Sequence, residues 1–151
     1  FKYNLTDLAA AIGIEQLKKC DAFHQRRRAI ADRYDAAFAQ VPGVRTPQVA
    51  DRDGHGWHLY VVQIDPAQIP MGRDAFIREL TARNIGVSVH FIPLHRMRCN
   101  AGHYGLTPAQ FPVDDREFAR RVSLPLHPLL TGADAGDVIE AVRDTAATYA
   151  R

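Results

Sequence analysis

Two histidines flank the end of one short apolar segment, and their spacing could place two imidazoles at a binding site. The segment reads Gly86-Val87-Ser88-Val89-His90-Phe91-Ile92-Pro93-Leu94-His95. Its alternation predicts a strand that carries His90 on one face, and Pro93, which has no backbone N–H, should end the ladder. His95 then follows in a loop or turn. The pattern fits a ligand-binding pair, and it fits equally two packed, hydrogen-bonded side chains.

A metal site is the second chemistry to weigh at this segment. His90, His95, Cys99 and His103 carry imidazole and thiolate groups, which are zinc ligands. Their spacing matches neither a pair of ligands on one helix nor a zinc knuckle, and carboxylates are lacking nearby. We therefore predict no metal ligands in this chain. Gly-x-Gly-x-x-Gly, Walker and Gly-x-Ser-x-Gly motifs are also absent from the sequence.

Lysine is scarce, which restricts covalent chemistry. The chain contains only Lys2, Lys18 and Lys19. A Schiff-base lysine has to be deprotonated and desolvated, whereas Lys18 and Lys19 fall at the polar end of a predicted helix. Lys2 stands beside a tyrosine at a helix entry, where an ammonium is better suited to pairing with a phosphate.

Composition limits the class of protein. The chain has 151 residues, of which 46% are hydrophobic and 24% charged, so we predict one soluble globular domain. The net charge of +2 is small, and Arg26-Arg27-Arg28 is the only basic run. No aromatic residues alternate with it, so we predict no nucleic-acid partner and interpret the run as a solvated helix face.

Membrane, compartment and chain boundaries follow from three further features. The longest apolar run, Leu8 to Ile14, is too short to cross a bilayer. Cys20 and Cys99 form no disulfide framework, so we expect a cytoplasmic protein. The chain opens at Phe1 and moves directly into a helix start, which predicts a piece of a longer protein.

Helix and strand signals alternate along the chain. Thr6 is a predicted N-cap for a helix whose apolar residues, Leu8 to Ile14, should be buried. Strand–helix–strand order in the middle of the chain predicts a small α/β sandwich. The remaining predictions are a helix from Asp21 to Val41, a strand Trp57–Ile64, a helix Arg73–Asn84, an irregular stretch Met97–Pro112, a helix Val113–Arg121, an extended stretch Ser123–Pro128 and a last helix with a Thr131/Asp134 capping box.

Several of these motifs, in this order, resemble the C-terminal part of the DegT/DnrJ/EryC1/StrS aminotransferases. The resemblance covers essentially the whole chain. It rests on Phe1-Lys2-Tyr3-Asn4-Leu5-Thr6-Asp7-Leu8, the arginine-rich helix, Gly56-Trp57-His58-Leu59-Tyr60-Val61, the His90–His95 segment and Ser123-Leu124-Pro125-Leu126-His127-Pro128.

The resemblance implies the α/β fold (α+β in detail) of the small C-terminal domain of a fold-type I pyridoxal-phosphate aminotransferase, with lead-in helices, over residues 1–151. Members transfer an amino group, usually from glutamate, to a nucleotide-linked keto sugar. The Schiff-base lysine of the family lies in a larger N-terminal domain, so no catalytic residue is expected here and the chain alone should be inactive. A homodimer is implied.

The resemblance also assigns roles to individual residues. Lys2, Tyr3 and Asn4 would bind the cofactor of a neighbouring subunit, and His90 and His95 would bind the nucleotide sugar. Many relatives have Asn-Tyr-Arg where this chain has Lys2-Tyr3-Asn4. The Lys-Tyr-Asn-Leu-Thr-Asp form resembles the branch that aminates a UDP-4-keto-pentose for lipid A, a lipopolysaccharide modification.

Two alternatives stay open on the sequence. One is a non-catalytic regulatory or sugar-binding protein derived from the same family by loss of the Schiff-base lysine. The other is an unrelated small α/β ligand-binding domain, because fold alone does not decide function.

Overall fold

The computed structural model describes residues 3–150, which form six α-helices, three strands and two 3₁₀ turns. The three strands form one antiparallel sheet in which they lie in chain order. The helices are α1 Asp7–Leu17, α2 Cys20–Phe38, α3 Gly72–Ala82, α4 Arg98–Tyr104, α5 Pro112–Phe118 and α6 Gly132–Tyr149; the strands are β1 Val44–Arg45, β2 Tyr60–Ile64 and β3 Arg121–Leu124; the 3₁₀ turns are Leu94–Arg96 and Pro108–Gln110.

The core lies where β2 meets the helices. Alternate residues of β2, Tyr60, Val62 and Ile64, are buried, as expected for a strand with one face on the core. Helices α2, α3 and α6 pack together over this face. The three strands within residues 3–150 are antiparallel, so this part of the chain has an α+β arrangement and contains no parallel βαβ unit.

Tyrosine hydroxyls in this core are both buried and partnered. Tyr34 donates to the carbonyl oxygen of Pro125 at 3.0 Å, and Tyr60 donates to Oδ1 of Asp35 at 2.6 Å. Their rings meet edge to face with centroids 5.0 Å apart. Burial raises the pKa of both phenols above the usual value, so each stays a neutral donor at physiological pH.

The residues that cap the starts of α1 and α6 are those predicted from the sequence. Thr6 Oγ1 accepts from the Ala9 N–H at 3.2 Å, so the predicted N-cap of α1 is confirmed. The capping box of α6 is also confirmed: Thr131 Oγ1 accepts from the Asp134 N–H at 3.1 Å, and Asp134 accepts from the Thr131 N–H at 2.8 Å. The Thr131 hydroxyl also donates to the Asp134 carboxylate at 2.6 Å, and this bond, together with the one from the Thr131 N–H, lowers the pKa of the Asp134 carboxyl.

Three predicted elements differ from the structure. The segment 86–92 is not a strand, because only Ser88 pairs with β3, through Ser123. Pro125 has no N–H to extend this pairing on one side. The stretch 97–112 is not irregular throughout, since α4 forms there and ends at Gly105, whose φ of 62° is the left-handed conformation that glycine favours at a helix C-terminus. The helix expected over 113–121 ends at Phe118.

Helix α1 is exposed, contrary to its predicted burial. None of its residues is buried, and Leu8, Ile12 and Leu17 are 74%, 56% and 73% exposed. Apolar residues surround this helix on every side, so no single stripe directs it onto the core. Within residues 3–150, no helix is both long and apolar enough to cross a bilayer.

The exposed apolar residues of α1 should make the chain self-associate. A contiguous apolar surface of this kind is unfavourable in water and is covered on association. A Leu8→Glu/Ile12→Glu variant should sediment as a smaller species than the unmodified chain at the same concentration. Leu129→Glu is the matched control, because Leu129 is 81% exposed but lies outside α1. A monomeric profile of the unmodified chain at high concentration, without hydrophobic dye binding, would contradict this prediction.

Candidate functional site

His90 lies just after the single bridge between the 86–92 segment and β3. The Ser88 N–H donates to the Ser123 carbonyl at 3.2 Å, and the Ser123 N–H donates to the Ser88 carbonyl at 2.8 Å. The side chains of both serines then converge on one atom of the histidine. His90 Nδ1 lies 2.9 Å from Ser123 Oγ and 3.2 Å from Ser88 Oγ. The bridge therefore sets both the position and the orientation of the imidazole.

The two nitrogens of His90 have different surroundings. The ring is half-buried, and Nδ1 faces the two hydroxyls. Within residues 3–150, Nε2 has no hydrogen-bond partner, and it is not among the solvent-inaccessible polar atoms that lack one. His90 therefore has one nitrogen held by the protein and one nitrogen open to a ligand.

His95 is held much more tightly than His90. It is 4% exposed and lies in the 3₁₀ turn Leu94–Arg96. Its ring stacks on Phe111, with centroids 4.8 Å apart. Nδ1 lies 3.6 Å from Asp114 Oδ2, and Nε2 lies 3.3 Å from Asp115 Oδ1. Both ring nitrogens therefore face carboxylates at the start of α5, so His95 fastens the 3₁₀ turn to that helix.

Arg96 completes this fastening. Its Nε lies 2.5 Å from Asp115 Oδ1, and its guanidinium carbon lies 5.6 Å from the centroid of the Phe118 ring. The hydrogen bond from Arg96, with a further one from His95, lowers the pKa of the Asp115 carboxyl. We call His95, Arg96, Phe111, Asp114 and Asp115 the α5 clamp.

The α5 clamp should make the free energy of unfolding depend on pH in the acid range. Because the folded-state pKa of Asp115 is lowered, its stabilising contribution is present above the unfolded pKa of about 3.9 and is lost as pH falls through the folded pKa. Asp115→Asn should therefore lower the free energy of unfolding at about pH 6 and have almost no effect in strong acid. Urea unfolding at both pH values measures this. In an Arg96→Gln background the pH-dependent difference should shrink, and an unchanged difference would contradict the assignment to Arg96.

The structure keeps the two histidines in separate environments. No hydrogen bond or ring contact in the described part of the chain joins His90 to His95. Large apolar side chains between and beside them point into solvent; they are Phe91, Ile92, Leu94 and Met97. This exposed apolar border and the accessible His90 Nε2 are the features that fit a ligand or another part of the protein.

The residues predicted to bind the cofactor lie at the other end of the chain. Lys2 is outside the described residues, and Tyr3 and Asn4 are exposed ahead of α1. The two described lysines do not fit a Schiff base. Lys18 is 63% exposed with Nζ 2.5 Å from Glu15 Oε1, and Lys19 is exposed. Among residues 3–150, no group of three histidine, cysteine or acidic side chains could hold a metal ion.

The arginine run of α2 has structural partners, which the sequence did not reveal. Arg26 donates to the Leu130 carbonyl at 2.8 Å, Arg27 donates to the Gly56 carbonyl at 3.4 Å, and Arg28 pairs with Asp53 at 2.5 Å. The run therefore lies on a solvent-facing side of α2, as interpreted, and its guanidinium groups have partners in addition. These arginines bind loop carbonyls and a loop carboxylate, and so hold two loops against α2.

Comparison with known proteins identifies the family over most of the chain. The profile of the DegT/DnrJ/EryC1/StrS aminotransferase family matches residues 1–143. SpsC, a spore coat polysaccharide biosynthesis protein of Bacillus subtilis, is 46% identical over 145 residues, which are 95% of this chain and 37% of SpsC. MJ1066, an uncharacterised protein of Methanocaldococcus jannaschii, is 41% identical over 143 residues, with the same two coverages of 95% and 37%.

Solved structures share the fold. The aminotransferase TlmJ of Streptoalloteichus hindustanus superposes with a TM-score of 0.79 at 33% identity, covering 94% of this chain and 37% of TlmJ. Spr1654 of Streptococcus pneumoniae, assigned to the sugar aminotransferases, has a PLP form that superposes with a TM-score of 0.87 at 27% identity, covering 99% of this chain and 38% of Spr1654. A PMP form of Spr1654 superposes equally well.

The chain belongs to the DegT/DnrJ/EryC1/StrS aminotransferase family. The predicted fold, an α/β C-terminal domain of a pyridoxal-phosphate aminotransferase, is confirmed. The chain spans a little over a third of the length of the relatives it matches.

Proposed function

We propose that the protein carrying this chain is a pyridoxal-phosphate-dependent aminotransferase that acts on a sugar. The observation that supports this most strongly is the family match, which is continuous over residues 1–143. The PLP and PMP forms of Spr1654 support pyridoxal phosphate as the cofactor. They are the aldehyde form and the amine form between which the cofactor of an aminotransferase alternates. The reaction therefore moves an amino group from a donor to a carbonyl acceptor.

The proposed acceptor is a nucleotide-linked keto sugar, and the proposed donor is glutamate. A narrower proposal, UDP-4-keto-pentose, rests on the Lys2-Tyr3-Asn4-Leu5-Thr6-Asp7 segment. The name of SpsC connects that relative to polysaccharide biosynthesis and supports a sugar substrate in general. The pentose and its use in lipid A modification remain part of the proposal, as do the homodimer and the cytoplasmic location.

The described residues fit this function in part. Neither of the two described lysines fits the role of the Schiff-base lysine, because Lys18 and Lys19 are both exposed. The described residues therefore supply no covalent attachment point for the cofactor. Lys2, Tyr3 and Asn4 are proposed to bind the cofactor phosphate of a neighbouring subunit. His90 and His95 are proposed to serve the nucleotide-sugar end of the site.

The contacts of the two histidines support different proposed roles for them. His90 keeps one accessible nitrogen and so fits direct contact with the sugar or its diphosphate. His95 has both nitrogens on carboxylates, so its contribution would come through holding the exposed Phe91–Met97 segment in place.

The test uses purified protein that carries this chain, loaded with pyridoxal phosphate. Glutamate should convert the cofactor spectrum from the PLP form to the PMP form, and a nucleotide-linked 4-keto sugar should convert it back. UDP-4-keto-pentose and a dTDP-4-keto-hexose are compared as acceptors, since the narrower proposal requires the first to react faster. Absence of any spectral change with glutamate would overturn the aminotransferase proposal and favour the regulatory or sugar-binding alternative.

A further inference from the structure

Ser123 is a buried hydroxyl in contact with the ring of His90. The residue is 4% exposed, and its Oγ lies 2.9 Å from His90 Nδ1. Within residues 3–150, Nδ1 is the only side-chain or backbone atom to which the Ser123 hydroxyl is hydrogen-bonded. A hydroxyl carries one proton to donate, and burying a donor without an acceptor costs about 1–3 kcal/mol.

That requirement fixes the direction of the hydrogen bond. If Nδ1 carried the proton of a neutral imidazole, it would donate to Ser123 Oγ, and the Ser123 hydroxyl proton would have no acceptor among its described neighbours. If Nδ1 is unprotonated, it accepts from Ser123 and the buried donor is satisfied. Ser88 Oγ, at 3.2 Å from the same nitrogen, does not impose this choice because Ser88 is exposed and its hydroxyl can donate to water.

We infer that Ser123 sets the tautomer of His90, with Nδ1 as the acceptor and the proton on Nε2, so that the accessible side of the ring is a fixed N–H donor. The two nitrogens of a neutral imidazole cannot both be protonated, so the tautomer follows from the bond to Nδ1. Ser123 is thus a positioning residue that acts through His90.

The inference names the chemistry of the group that His90 would contact. A fixed Nε2–H donor binds an oxygen acceptor, and it cannot accept a hydrogen bond from a hydroxyl. That the acceptor belongs to a nucleotide sugar, as a diphosphate oxygen or a sugar oxygen, rests on the proposed function. The tautomer itself does not, since it follows from the contacts of Ser123 alone.

Nitrogen NMR of ¹⁵N-histidine-labelled chain tests the tautomer without substrate. The His90 signals, identified by their loss in His90→Gln, should show a protonated Nε2 and an unprotonated Nδ1 at a pH where the ring is neutral. Ser123→Ala should lose this preference and give a mixture of tautomers, whereas Ser88→Ala should keep it. A protonated Nδ1 in the unmodified chain would overturn the inference, and this observation decides even if Ser123→Ala does not fold. An equal change in both serine variants would overturn the assignment to Ser123.

A second measurement tests the donor role of His90 in the protein that carries this chain. It compares the binding of two probes: UDP, which supplies diphosphate oxygens, and the sugar without its nucleotide, which supplies sugar oxygens. His90→Gln keeps an N–H donor and should bind within a few-fold of the unmodified protein. His90→Ala should bind whichever of the two probes supplies the oxygen acceptor at least about tenfold more weakly than the unmodified protein does. Equal loss in both variants would overturn the donor role. If neither probe binds the unmodified protein, the proposed function fails while the tautomer result still stands.

Discussion

Borohydride reduction of the 151-residue chain mixed with pyridoxal phosphate should leave no lysine stoichiometrically labelled, and the chain should not transaminate. A Schiff-base lysine needs a pocket that removes water from its amine. Lys18 is 63% exposed and paired with Glu15 at 2.5 Å, and Lys19 is exposed at the junction of α1 and α2. Nothing among the described residues desolvates either amine, so labelling should be slow, partial and spread over several sites.

Two controls make this result informative. A Lys18→Arg/Lys19→Arg variant should show the same low background at the remaining amines, because neither lysine is a specific site. Protein that carries this chain together with the rest of the family fold should give one fully labelled lysine outside it. Complete labelling of Lys2, Lys18 or Lys19 in the 151-residue chain would contradict the prediction and place the covalent site within this segment.

The sequence predicts the elements of this fold that depend on neighbouring residues. The Thr131/Asp134 box, the cap at Thr6 and helix α3 each follow from residues within one or two turns, so their signals are complete locally. Tyr34 and Phe38 lie four residues apart in α2 and are both buried, as the helical period predicts for apolar residues on one face. These are the parts in which local preference and tertiary packing agree.

The candidate site was predicted only as a pair of residue types. His90 was assigned to a strand, but its position depends on Ser123, which lies 33 residues further along the chain. His95 was assigned to a loop or turn, and it lies in a 3₁₀ turn. Its burial depends on Phe111, Asp114 and Asp115, which belong to a segment expected to be partly irregular. Contacts across such distances are set by packing, which periodicity in a single sequence does not encode. The Ser-x-His spacing at Ser88 and His90 was the one local sign of these partners.

The second prediction with a large expected effect concerns the Lys2-Tyr3-Asn4 segment, whose described residues Tyr3 and Asn4 are exposed. Helix α1 has no buried residue, and Asn4 is exposed ahead of it. This exposure is consistent with the proposal that the Lys2-Tyr3-Asn4 segment contacts another subunit. In protein that carries this chain, Lys2→Ala should mainly weaken retention of the cofactor, because a charged partner of the phosphate is lost. The loss of a hydrogen bond to a charged group is about 1.5–3 kcal/mol, or roughly ten- to a hundredfold in affinity.

His90→Ala should instead mainly weaken use of the nucleotide sugar, with the cofactor retained. The reason is that the proposed role of His90 is contact between its accessible Nε2 and the ligand, and no described contact links His90 to Lys18 or Lys19. Cofactor retention is measured by absorbance after dialysis, and nucleotide-sugar use by kcat/KM. Loss of cofactor from His90→Ala with unchanged nucleotide-sugar use would reverse the two assignments.

Mixed dimers test whether Lys2 serves the neighbouring subunit. One subunit carries Lys2→Ala, and the other carries a substitution of the Schiff-base lysine outside this chain. If Lys2 acts across the dimer, both lesions fall in one site and the other site is intact, so about half of the activity of the unmodified dimer should return. If Lys2 acts within its own subunit, each site carries one lesion and activity stays low. The second outcome would exclude the contact between subunits.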